Sequence, residues 1–472
     1  MKFLDRQEEL SRLRRLSDAQ EGGMVAVWGR RRIGKSELLK RWCAGCGGLY
    51  TVADRSTAAV QRSNFAAAVA SRFEGFDSVV YPTWKALFEV LSRRAAEIGW
   101  HQPLVIDEFP YWAEADESVV SVVQNWIDAE KRRKGMLVAI AGSSQHMMQG
   151  IVIDQTSPLY GRADERLKLS PLGFDYIGEA LGIKSPIDRI KAYAIWGGVP
   201  RYWVAAERYR TALDEAVDEQ ILSPLGIFHD EPATLLQSEI PSAMSLKPYL
   251  DVIGSGVNRA GEIAGRTGVT VTTLSKPLSR LVNLGFVKRE IPYGENEKSS
   301  KRSLYKIADP FCRFWFEVIA PRRSVFDNAP ATLRKSVWRR QAQRLFAAEW
   351  EELSRRSVVA SPRLARLSGT DDFWMPAGRW WHGEAHEFDV VSTNGSRTRT
   401  LLGEVKWSER PFSRKEVIAF AAKFAAIEPP PGLPSPVARA LFLPAVEAGV
   451  GKSVNGVEIV SLSEDELVFT PT

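Results

Sequence analysis

The sequence predicts an α/β protein with more than one domain. Its 472 residues are enough for roughly three domains of ordinary size. Unbroken apolar runs alternate with amphipathic stretches through residues 1–180, a pattern typical of a parallel sheet with helices on both faces. The composition, 44% hydrophobic and 25% charged residues, excludes a mainly disordered, collagen-like or coiled-coil chain.

Charge and cysteine content narrow the class of protein further. A formal net charge of +6 permits a nucleic-acid partner without requiring one. Three cysteines in a chain of this length exclude a disulfide framework. No apolar run is long enough to cross a bilayer, and the charged N-terminus lacks the apolar core of a signal peptide. These features predict a cytoplasmic protein without a membrane partner.

The order of predicted elements follows from hydrophobic periodicity. Four apolar runs predict the strands of the first sheet: Gly23–Gly29, Gly48–Val52, Pro103–Asp107 and Met136–Gly142. Residues 170–240 are predicted to be mainly helical, and residues 245–310 to form three helices and a two-stranded ribbon. Pro321–Ser324 begins a linker-like stretch, and from about residue 335 a helix precedes several strands and further helices.

Residues 29–36 form a phosphate-binding motif. They fit the pattern GxxxxGK[ST] between a strand and a helix, the context that this motif requires. Backbone N–H groups at such a helix N-terminus attract phosphate. We expect Lys35 to reach the β- and γ-phosphates and the Ser36 hydroxyl to ligate Mg²⁺. The predicted nucleotide-binding residues of the loop are Gly29, Arg30, Arg31, Arg32, Ile33, Gly34, Lys35 and Ser36. The alternative is a glycine turn that binds nothing.

Polar residues after the next strands complete this predicted site. Asp107 is expected to hold Mg²⁺ through water, and Glu108 to orient or deprotonate the attacking water, so that the pair favours hydrolysis over binding alone. Ser143 lies where a sensor of the γ-phosphate would be, although a helix cap is an equal alternative. Arg162 is a candidate phosphate-sensing arginine, with an ordinary surface arginine as the alternative.

Several short motifs together resemble the archaeal-type ATPases found in archaea and bacteria, which lie near the AAA+ and STAND groups and resemble origin-recognition ATPases in plan. The motifs are Phe3-Leu4-Asp5-Arg6 with Glu9-Leu10, Gly29–Ser36, Val105–Pro110, Gly142–Ser144 and Gly197–Tyr202. The resemblance implies ATP as cofactor. It also implies a P-loop ATPase domain, a helical lid, a winged helix and, in many members, a nuclease-like domain. We place them at 1–170, 171–242, 243–320 and 335–472. Since related ATPases often assemble, a homo-oligomer with Arg162 acting in trans is a further expectation.

The segment 243–320 has the pattern of a winged helix. Helices are predicted over Ala260–Gly268 and Val269–Gly285, and wing strands over Val287–Ile291 and Ser303–Ile307. Pro277 should kink or shorten the second helix. Basic residues near the elements that would face a DNA groove are expected to contact phosphates; they are Lys276, Arg280, Lys288, Arg289, Lys298, Lys301 and Arg302. The alternative is a protein-packing module with a solvated charged face.

Two predicted strands near the C-terminus, His386–Val391 and Leu401–Trp407, carry acidic residues. If the connecting loop spans 394–399, Thr393 pairs with Thr400 and Asp389 lies opposite Glu404. Their Cβ atoms would then be about 5 Å apart. Carboxylates this close repel unless a cation lies between them, and Mg²⁺ suits carboxylate oxygen. A two-residue turn at residues 394 and 395 would offset the acids and abolish the site.

The arrangement Asp…Glu-x-Lys on adjacent strands resembles the PD-(D/E)xK nucleases. The resemblance implies that Asp389 and Glu404 ligate the metal and that Lys406 positions or polarises the attacking water. Glu351, on a helix predicted at Ala342–Arg355, fits a fourth acidic position, for which Glu349 and Glu352 compete. The alternative is a surface hairpin with scattered charges.

These predictions combine into one functional hypothesis and two alternatives. The hypothesis is a restriction-endonuclease-like domain under ATP control that hydrolyses DNA phosphodiesters with metal assistance, in repair or defence. One alternative is a non-cleaving ATP-dependent DNA-binding switch, and the other is a signalling ATPase that acts on protein partners. Cys43 and Cys46 form a lone CxxC without the second ligand pair that a zinc site needs.

Overall fold

The computed structural model describes residues 3–209, 212–239, 241–383, 385–462 and 469. The chain divides into two compact units. One comprises Phe3–Ser170 with Leu235–Ala243, and the other comprises Pro171–Thr234 with the chain from Met244 onward. The finer division of the second unit into a lid, a winged helix and a last domain stays a prediction.

The first unit contains a five-stranded parallel sheet. Its strands are β1 Gly23–Trp28, β2 Leu49–Val52, β3 Pro103–Asp107, β4 Leu137–Gly142 and β5 Glu165–Lys168. The spatial order is β2-β3-β4-β1-β5. Every residue of β1, β3 and β4 is buried, as the unbroken apolar runs predict. All four predicted strands are confirmed.

Helices cover both faces of this sheet. They are α1 Gln7–Ala19, α2 Lys35–Cys46, α3 Ala58–Ala70, α4 Trp84–Glu97, α5 Pro110–Ala115, α6 Val119–Arg132 and α7 Gln145–Val152, with a 3₁₀ turn at Phe76–Ser78. Alternate side chains of β1 enter two separate apolar cores: Met24 packs with α3, α4 and α6, and Val25 packs with α1 and α2. The strand order places the ends of β1, β3 and β4 side by side, and these ends carry the predicted nucleotide site.

The second unit begins with short helices, as predicted for residues 170–240. They are α8 Ile177–Leu181, α9 Pro186–Trp196, α10 Pro200–Ala206 and α11 Leu213–Val217, with 3₁₀ turns at Phe174–Tyr176 and Glu207–Tyr209 and a π-helix at Asp218–Leu222. α12 spans Glu231–Glu239, and a 3₁₀ segment spans Pro241–Leu246.

Three helices and a two-stranded antiparallel ribbon then follow in the predicted order. They are α13 Lys247–Gly254, α14 Ala260–Thr267, α15 Val271–Asn283, β6 Val287–Glu290 and β7 Leu304–Ile307. The prediction that Pro277 shortens α15 is wrong, because the helix continues through it. Leu274, Leu278 and Leu281 are all buried on one face. Their burial outweighs the single backbone hydrogen bond that proline removes.

The predicted linker at Pro321–Ser324 is also wrong, because this stretch is helical. α16 Pro310–Phe314 and a π-helix at Trp315–Ile319 lead into a 3₁₀ turn at Ala320–Arg322 and α17 Arg323–Asn328. Pro321 lies in the first turn, where a missing N–H costs no helical hydrogen bond. α18, Ala331–Ser357, begins before its predicted start at Ala342.

A six-stranded mixed sheet completes the second unit. Its strands are β8 Gly378–Trp380, β9 Phe388–Thr393, β10 Thr400–Val405, β11 Val437–Leu443, β12 Ser453–Val454 and β13 Val457–Ser461, in the order β12-β13-β11-β10-β9-β8. β9 pairs antiparallel with β10, and β10 pairs parallel with β11. The remaining helices are α19 Pro362–Ala365 and α20 Arg414–Ala425. The predicted strand His386–Val391 corresponds to β9. His386 lies before the observed start of β9 at Phe388.

Candidate functional site

The phosphate-binding loop between β1 and α2 depends on glycine at two positions. Gly29 and Gly34 have φ of 151° and 93°, a region that other residues rarely adopt. A Cβ at Gly29 would lie 2.6 Å from the backbone oxygen of Leu169, so any larger residue would displace the loop. The motif therefore fixes both the conformation of the loop and its close packing.

Lys35 and Ser36 emerge from this loop at the start of α2. Lys35 is buried, and its Nζ donates to the carbonyl oxygens of Gly29 and Arg30, each at 2.9 Å. The Ser36 hydroxyl donates to Oδ2 of Asp107 at 2.6 Å. The structure thus brings the predicted loop together with the predicted acid at the end of β3.

Asp107 is almost fully buried, and both of its carboxylate oxygens accept hydrogen bonds. Oδ1 accepts from the backbone N–H of Glu108 at 2.9 Å, while Oδ2 also accepts from the Tyr50 hydroxyl at 2.6 Å. Burial and the Asp107 carboxylate raise the pKa of Tyr50, so this hydroxyl remains a donor. The sequence analysis missed Tyr50. The signal that would have identified Tyr50 is a hydroxyl-bearing side chain in β2, the strand that pairs with β3.

Glu108 has a conformation that is unusual for a residue other than glycine. Its φ is 55°, and Oε2 accepts from the backbone N–H of Ser143 at 3.1 Å and from the Ser143 hydroxyl at 2.9 Å. Strained backbone of this kind clusters at functional sites. The helix cap of α7 is Ser144, which accepts from Met147 N, and not Ser143; the γ-phosphate role of Ser143 stays a prediction.

Two of the predicted arginines, Arg31 and Arg162, contact groups that lie outside the phosphate-binding loop. Arg31 donates from Nη2 to the Tyr111 hydroxyl at 2.8 Å. The contacts of Arg162 lie on α6 and on its own turn: Nε is 3.2 Å from Asp128 Oδ1, and Nη1 donates to the Pro158 oxygen at 2.7 Å. These contacts match the surface-arginine alternative and do not join Arg162 to the loop.

The register of β9 and β10 is confirmed. Thr393 lies opposite Thr400 and Val390 opposite Gly403, so the next pair along is Asp389 and Glu404. The connection is the six-residue loop 394–399 and not a two-residue turn, because the Asn394 side chain accepts from the backbone N–H groups of residues 398 and 399, each at 2.8 Å. The two predicted carboxylates therefore face each other.

Glu404 lies between two basic side chains. Its Oε1 accepts from Lys406 Nζ at 2.6 Å, and its Oε2 is 3.4 Å from Nε2 of His386. Oε2 is buried and has no hydrogen-bond partner in the described part of the chain. Across the strand pair, Asp389 Oδ2 accepts from Val405 N at 2.9 Å.

The electrostatics of Asp389 distinguish among the three candidate acids of α18. Burial and the nearby Glu351 carboxylate raise the pKa of Asp389 to about 6. Glu349 is instead paired with Arg313 at 3.1 Å, and Glu352 is paired with Lys288 and Arg355. Glu351 lies 3.9 Å from Arg355 and is the acid of α18 whose charge raises the pKa of Asp389, which agrees with the choice of Glu351 made from the sequence.

Some basic residues expected to contact DNA have structural partners instead. The Lys288 ammonium pairs with Glu352, and burial lowers its pKa. Arg302 donates to the Trp381 oxygen at 3.0 Å and pairs with Glu295. Arg289 donates to Ser303 Oγ at 2.8 Å. Lys276, Lys298, Lys301 and Arg289 are exposed, and Arg280 is partly exposed.

Other expectations concern metals, thiols and membranes. Among the described residues, no group of three or more histidine, cysteine, aspartate or glutamate side chains is placed so that it could hold a metal ion. Both CxxC thiols are free, and burial raises the pKa of Cys43 to about 12. In the same part of the chain, none of the helices is both long enough and apolar enough to span a bilayer.

Comparison with protein families identifies the first half of the chain. Residues 3–205 match the model of an ATPase domain found predominantly in archaea. The chain carries an ATPase domain of the archaeal type. Residues 315–418 match a family of archaeal and bacterial proteins of unknown function. This second match includes Glu351, Asp389, Glu404 and Lys406 and gives them no role.

Comparison with individual proteins finds one curated relative and several similar structures. An uncharacterized protein of Methanocaldococcus jannaschii is 26% identical over 414 residues, which are 86% of this chain and 88% of that protein. The Walker-type ATPase of Pyrococcus abyssi is 18% identical with a TM-score of 0.51, covering 67% of this chain and 96% of its own. The ORC2 protein of Aeropyrum pernix is 13% identical with a TM-score of 0.45, covering 73% and 95%. The Pyrococcus likeness shows a shared fold.

Proposed function

We propose that this protein is an ATP-hydrolysing switch that controls metal-dependent cleavage of DNA. The ATPase part rests on the matched ATPase domain and on the paired side chains at the ends of β1, β3 and β4. The observation that carries the cleavage part is the β9–β10 register through Val390 and Gly403, whose continuation by one pair would set Asp389 opposite Glu404, with Lys406 two residues beyond.

In the nucleotide site, the position of each hydrogen-bonded side chain supports one role in binding or hydrolysing ATP. The loop amides and Lys35 hold the phosphates, and Ser36 and Asp107 present oxygens within reach of one ion. Their chemistry suits Mg²⁺, which supplies charge neutralisation at the phosphate oxygens when bound. Glu108 aligns the attacking water. Ser143 holds the Glu108 carboxylate at the edge of the sheet. Tyr50 keeps Asp107 in place.

In the C-terminal site, the carboxylate oxygens are of the type that a divalent ion prefers, although among the described residues they are not brought together as a group of three. The partnerless Oε2 of Glu404 and the raised pKa of Asp389 are both conditions that a cation would relieve. When bound, such an ion supplies water activation and stabilises the leaving oxygen. Asp389, Glu404 and Glu351 would hold it, while Lys406 Nζ would position the attacking water. This assigns to residues 335–472 the restriction-endonuclease-like fold expected from the sequence.

DNA association rests on the helices and ribbon of residues 243–320. Three helices followed by a two-stranded ribbon is the element order of a winged helix, with α15 as the helix that enters the major groove. Lys276, Arg280, Lys298 and Lys301 supply the phosphate contacts. Residues 171–242 are the lid that responds to the nucleotide, and a homo-oligomer would place Arg162 to act in trans.

A second candidate function is a DNA-binding switch that does not cleave. One observation favours it: Lys406 already pairs with Oε1 of Glu404, in a site where the described ligand side chains do not yet converge. Such a protein would bind DNA in an ATP-dependent way and leave every phosphodiester intact.

The test is a cleavage assay. Purified wild type and Lys406→Ala are incubated with supercoiled and single-stranded DNA, in Mg²⁺ or Mn²⁺, with and without ATP. Lys423→Ala, an exposed lysine on α20, is the matched control. Cleavage by wild type and the control, but not by Lys406→Ala, supports the proposal. Absence of cleavage from all three proteins favours the DNA-binding switch, whereas equal cleavage by all three refutes the role of Lys406.

A further inference from the structure

Tyr111, at the start of α5, connects the phosphate-binding loop with the segment that follows β3. Its hydroxyl accepts from Nη2 of Arg31 at 2.8 Å, and its backbone N–H donates to the backbone oxygen of Glu108 at 3.0 Å. The Arg31 guanidinium therefore spans from the loop to the first turn after Glu108. The γ-phosphate has to react between these same two elements, since the loop holds the phosphates and Glu108 would align the water.

Tyr111 is itself held by two neighbours. The Gln61 side chain is almost fully buried, and its Nε2 donates to the backbone oxygens of Tyr111 at 3.0 Å and of Ser56 at 3.1 Å. The guanidinium carbon of Arg55 lies 5.0 Å from the centroid of the Tyr111 ring, a distance typical of a cation–π contact. The Tyr111 hydroxyl is therefore a fixed acceptor for Arg31.

The two arginines on Tyr111 lack an anionic partner in the described part of the chain. Nε of Arg31 is buried there and has no hydrogen-bond partner. Neither Arg31 nor Arg55 forms an ion pair with a carboxylate of the described residues. Two guanidinium groups gathered on one side chain repel each other, and a buried N–H without an acceptor costs free energy. An anion bound beside Arg31 would relieve both conditions.

We propose that the Arg31 guanidinium contacts the γ-phosphate of ATP within its own chain, with Tyr111 as its positioning residue. The inference deepens the proposed function and rests on its ATP site, in which only the loop amides and Lys35 hold the phosphates. Because a guanidinium has five N–H donors in a fixed fork, Arg31 can keep Tyr111 and donate to a phosphate oxygen together. Since ADP lacks the γ-phosphate, Arg31 distinguishes ATP from ADP.

The test compares the binding of ADPNP and of ADP to the full chain in Mg²⁺ by isothermal titration calorimetry. ADPNP carries a γ-phosphate, whereas ADP does not. We expect Arg31→Gln to weaken ADPNP binding about tenfold or more, because it removes a charge-assisted hydrogen bond, and to change ADP binding less than about twofold. Arg93→Gln, which alters an exposed arginine on α4, should change neither.

Tyr111→Phe is a second variant, which keeps the aromatic ring under Arg55. It removes only the hydroxyl that holds Arg31, so that the guanidinium remains but is no longer fixed. We expect ADPNP binding to weaken about two- to tenfold while ADP binding stays at the wild-type value. A merely structural role of Tyr111 would weaken both nucleotides alike. If Arg31→Gln does not fold, Tyr111→Phe decides between these results.

Failure of this inference differs from failure of the proposed function. Wild-type ADPNP affinity in Arg31→Gln, or equal weakening of ADPNP and ADP, overturns the γ-phosphate contact and leaves the ATP site standing. A wild-type protein that binds neither nucleotide overturns the ATP site and the inference with it. Selective loss of ADPNP affinity in a protein that never cleaves DNA supports the role of Arg31 and refutes the nuclease.

Discussion

The nucleotide site and the C-terminal carboxylate site are built in different ways. In the nucleotide site, the polar groups already satisfy one another: Ser36 and Tyr50 donate to Asp107, and Ser143 donates to Glu108. In the carboxylate site, Asp389 has a raised pKa and Glu404 keeps one buried oxygen without a hydrogen-bond partner in the described part of the chain. The polar groups of the first site are mutually paired, whereas the second site keeps buried charge that its neighbours do not fully satisfy.

This difference has a physical origin. Neutral hydroxyl and amide donors can stabilise a single buried carboxylate such as that of Asp107. Three carboxylates on α18, β9 and β10 repel one another, and Lys406 and Arg355 beside them do not prevent the rise in the pKa of Asp389. The variants below test this contrast, beginning with the largest expected effect.

Lys35→Ala should reduce ATP hydrolysis about 100-fold or more, because it removes a charged donor from the transferred phosphate. Phosphate release at saturating ATP measures the effect. Lys85→Ala, an exposed lysine on α4, is the matched control and should hydrolyse ATP at the wild-type rate. Equal loss in both variants would refute the role of the loop lysine.

Asp389→Asn should stabilise the metal-free protein above pH 6. In wild type the pKa of Asp389 is about 6 and lies above its unfolded value, so the folded state holds the extra proton between about pH 4 and 6. Stability contributed by this carboxyl is therefore complete below pH 4 and is lost as the pH rises to 6. Asparagine does not titrate, and it should add up to about 3 kcal/mol of stability at pH 7.5.

Denaturant unfolding of both proteins at pH 4 and pH 7.5, with chelator, measures this difference. Glu351→Gln is the matched variant, since it removes the neighbouring charge and should lower the pKa of Asp389. A wild-type protein that is more stable than Asp389→Asn at pH 7.5 would contradict the account.

Parts of both sites could be predicted from the sequence alone. The loop 29–36 specifies its own geometry through contiguous residues, so it could be predicted in full. The pairing of Asp389 with Glu404 followed from one assumed loop length, which the capping by Asn394 supports. Tyr50 was missed, because its partner Asp107 lies on another strand and only its place in β2 pointed to the contact. Lys288 was misplaced, since its partner Glu352 is distant in sequence.

Lys276→Ala and Lys301→Ala should each weaken DNA binding modestly. Each lost phosphate contact should reduce the slope of log affinity against log salt by about 1. Titrations at several salt concentrations measure the slope. Lys184→Ala, an exposed lysine outside residues 243–320, should leave it unchanged. Equal slopes in all of these proteins would remove the predicted winged helix from the DNA interface.

Tyr50→Phe should have the smallest effect. It removes one hydrogen bond to Asp107, whose net value is about 0.5–1.5 kcal/mol, so the Mg²⁺ concentration for half-maximal ATP hydrolysis should rise about two- to tenfold. Tyr81→Phe loses a buried hydroxyl bond to the Phe76 oxygen in the same unit and should leave that concentration unchanged. A shift of the same size in both variants would mean that Tyr50 acts only on stability.

The central claim is that the nucleotide state controls the carboxylate site. The most direct measurement compares DNA cleavage in ATP and Mn²⁺ by wild type, Lys35→Ala and Glu108→Gln, each with and without Asp389→Asn. The account predicts Asp389-dependent cleavage that differs at least about fivefold between Lys35→Ala, which cannot engage ATP, and Glu108→Gln, which holds it unhydrolysed. Equal cleavage by these two proteins, or cleavage that persists in Asp389→Asn, would contradict it.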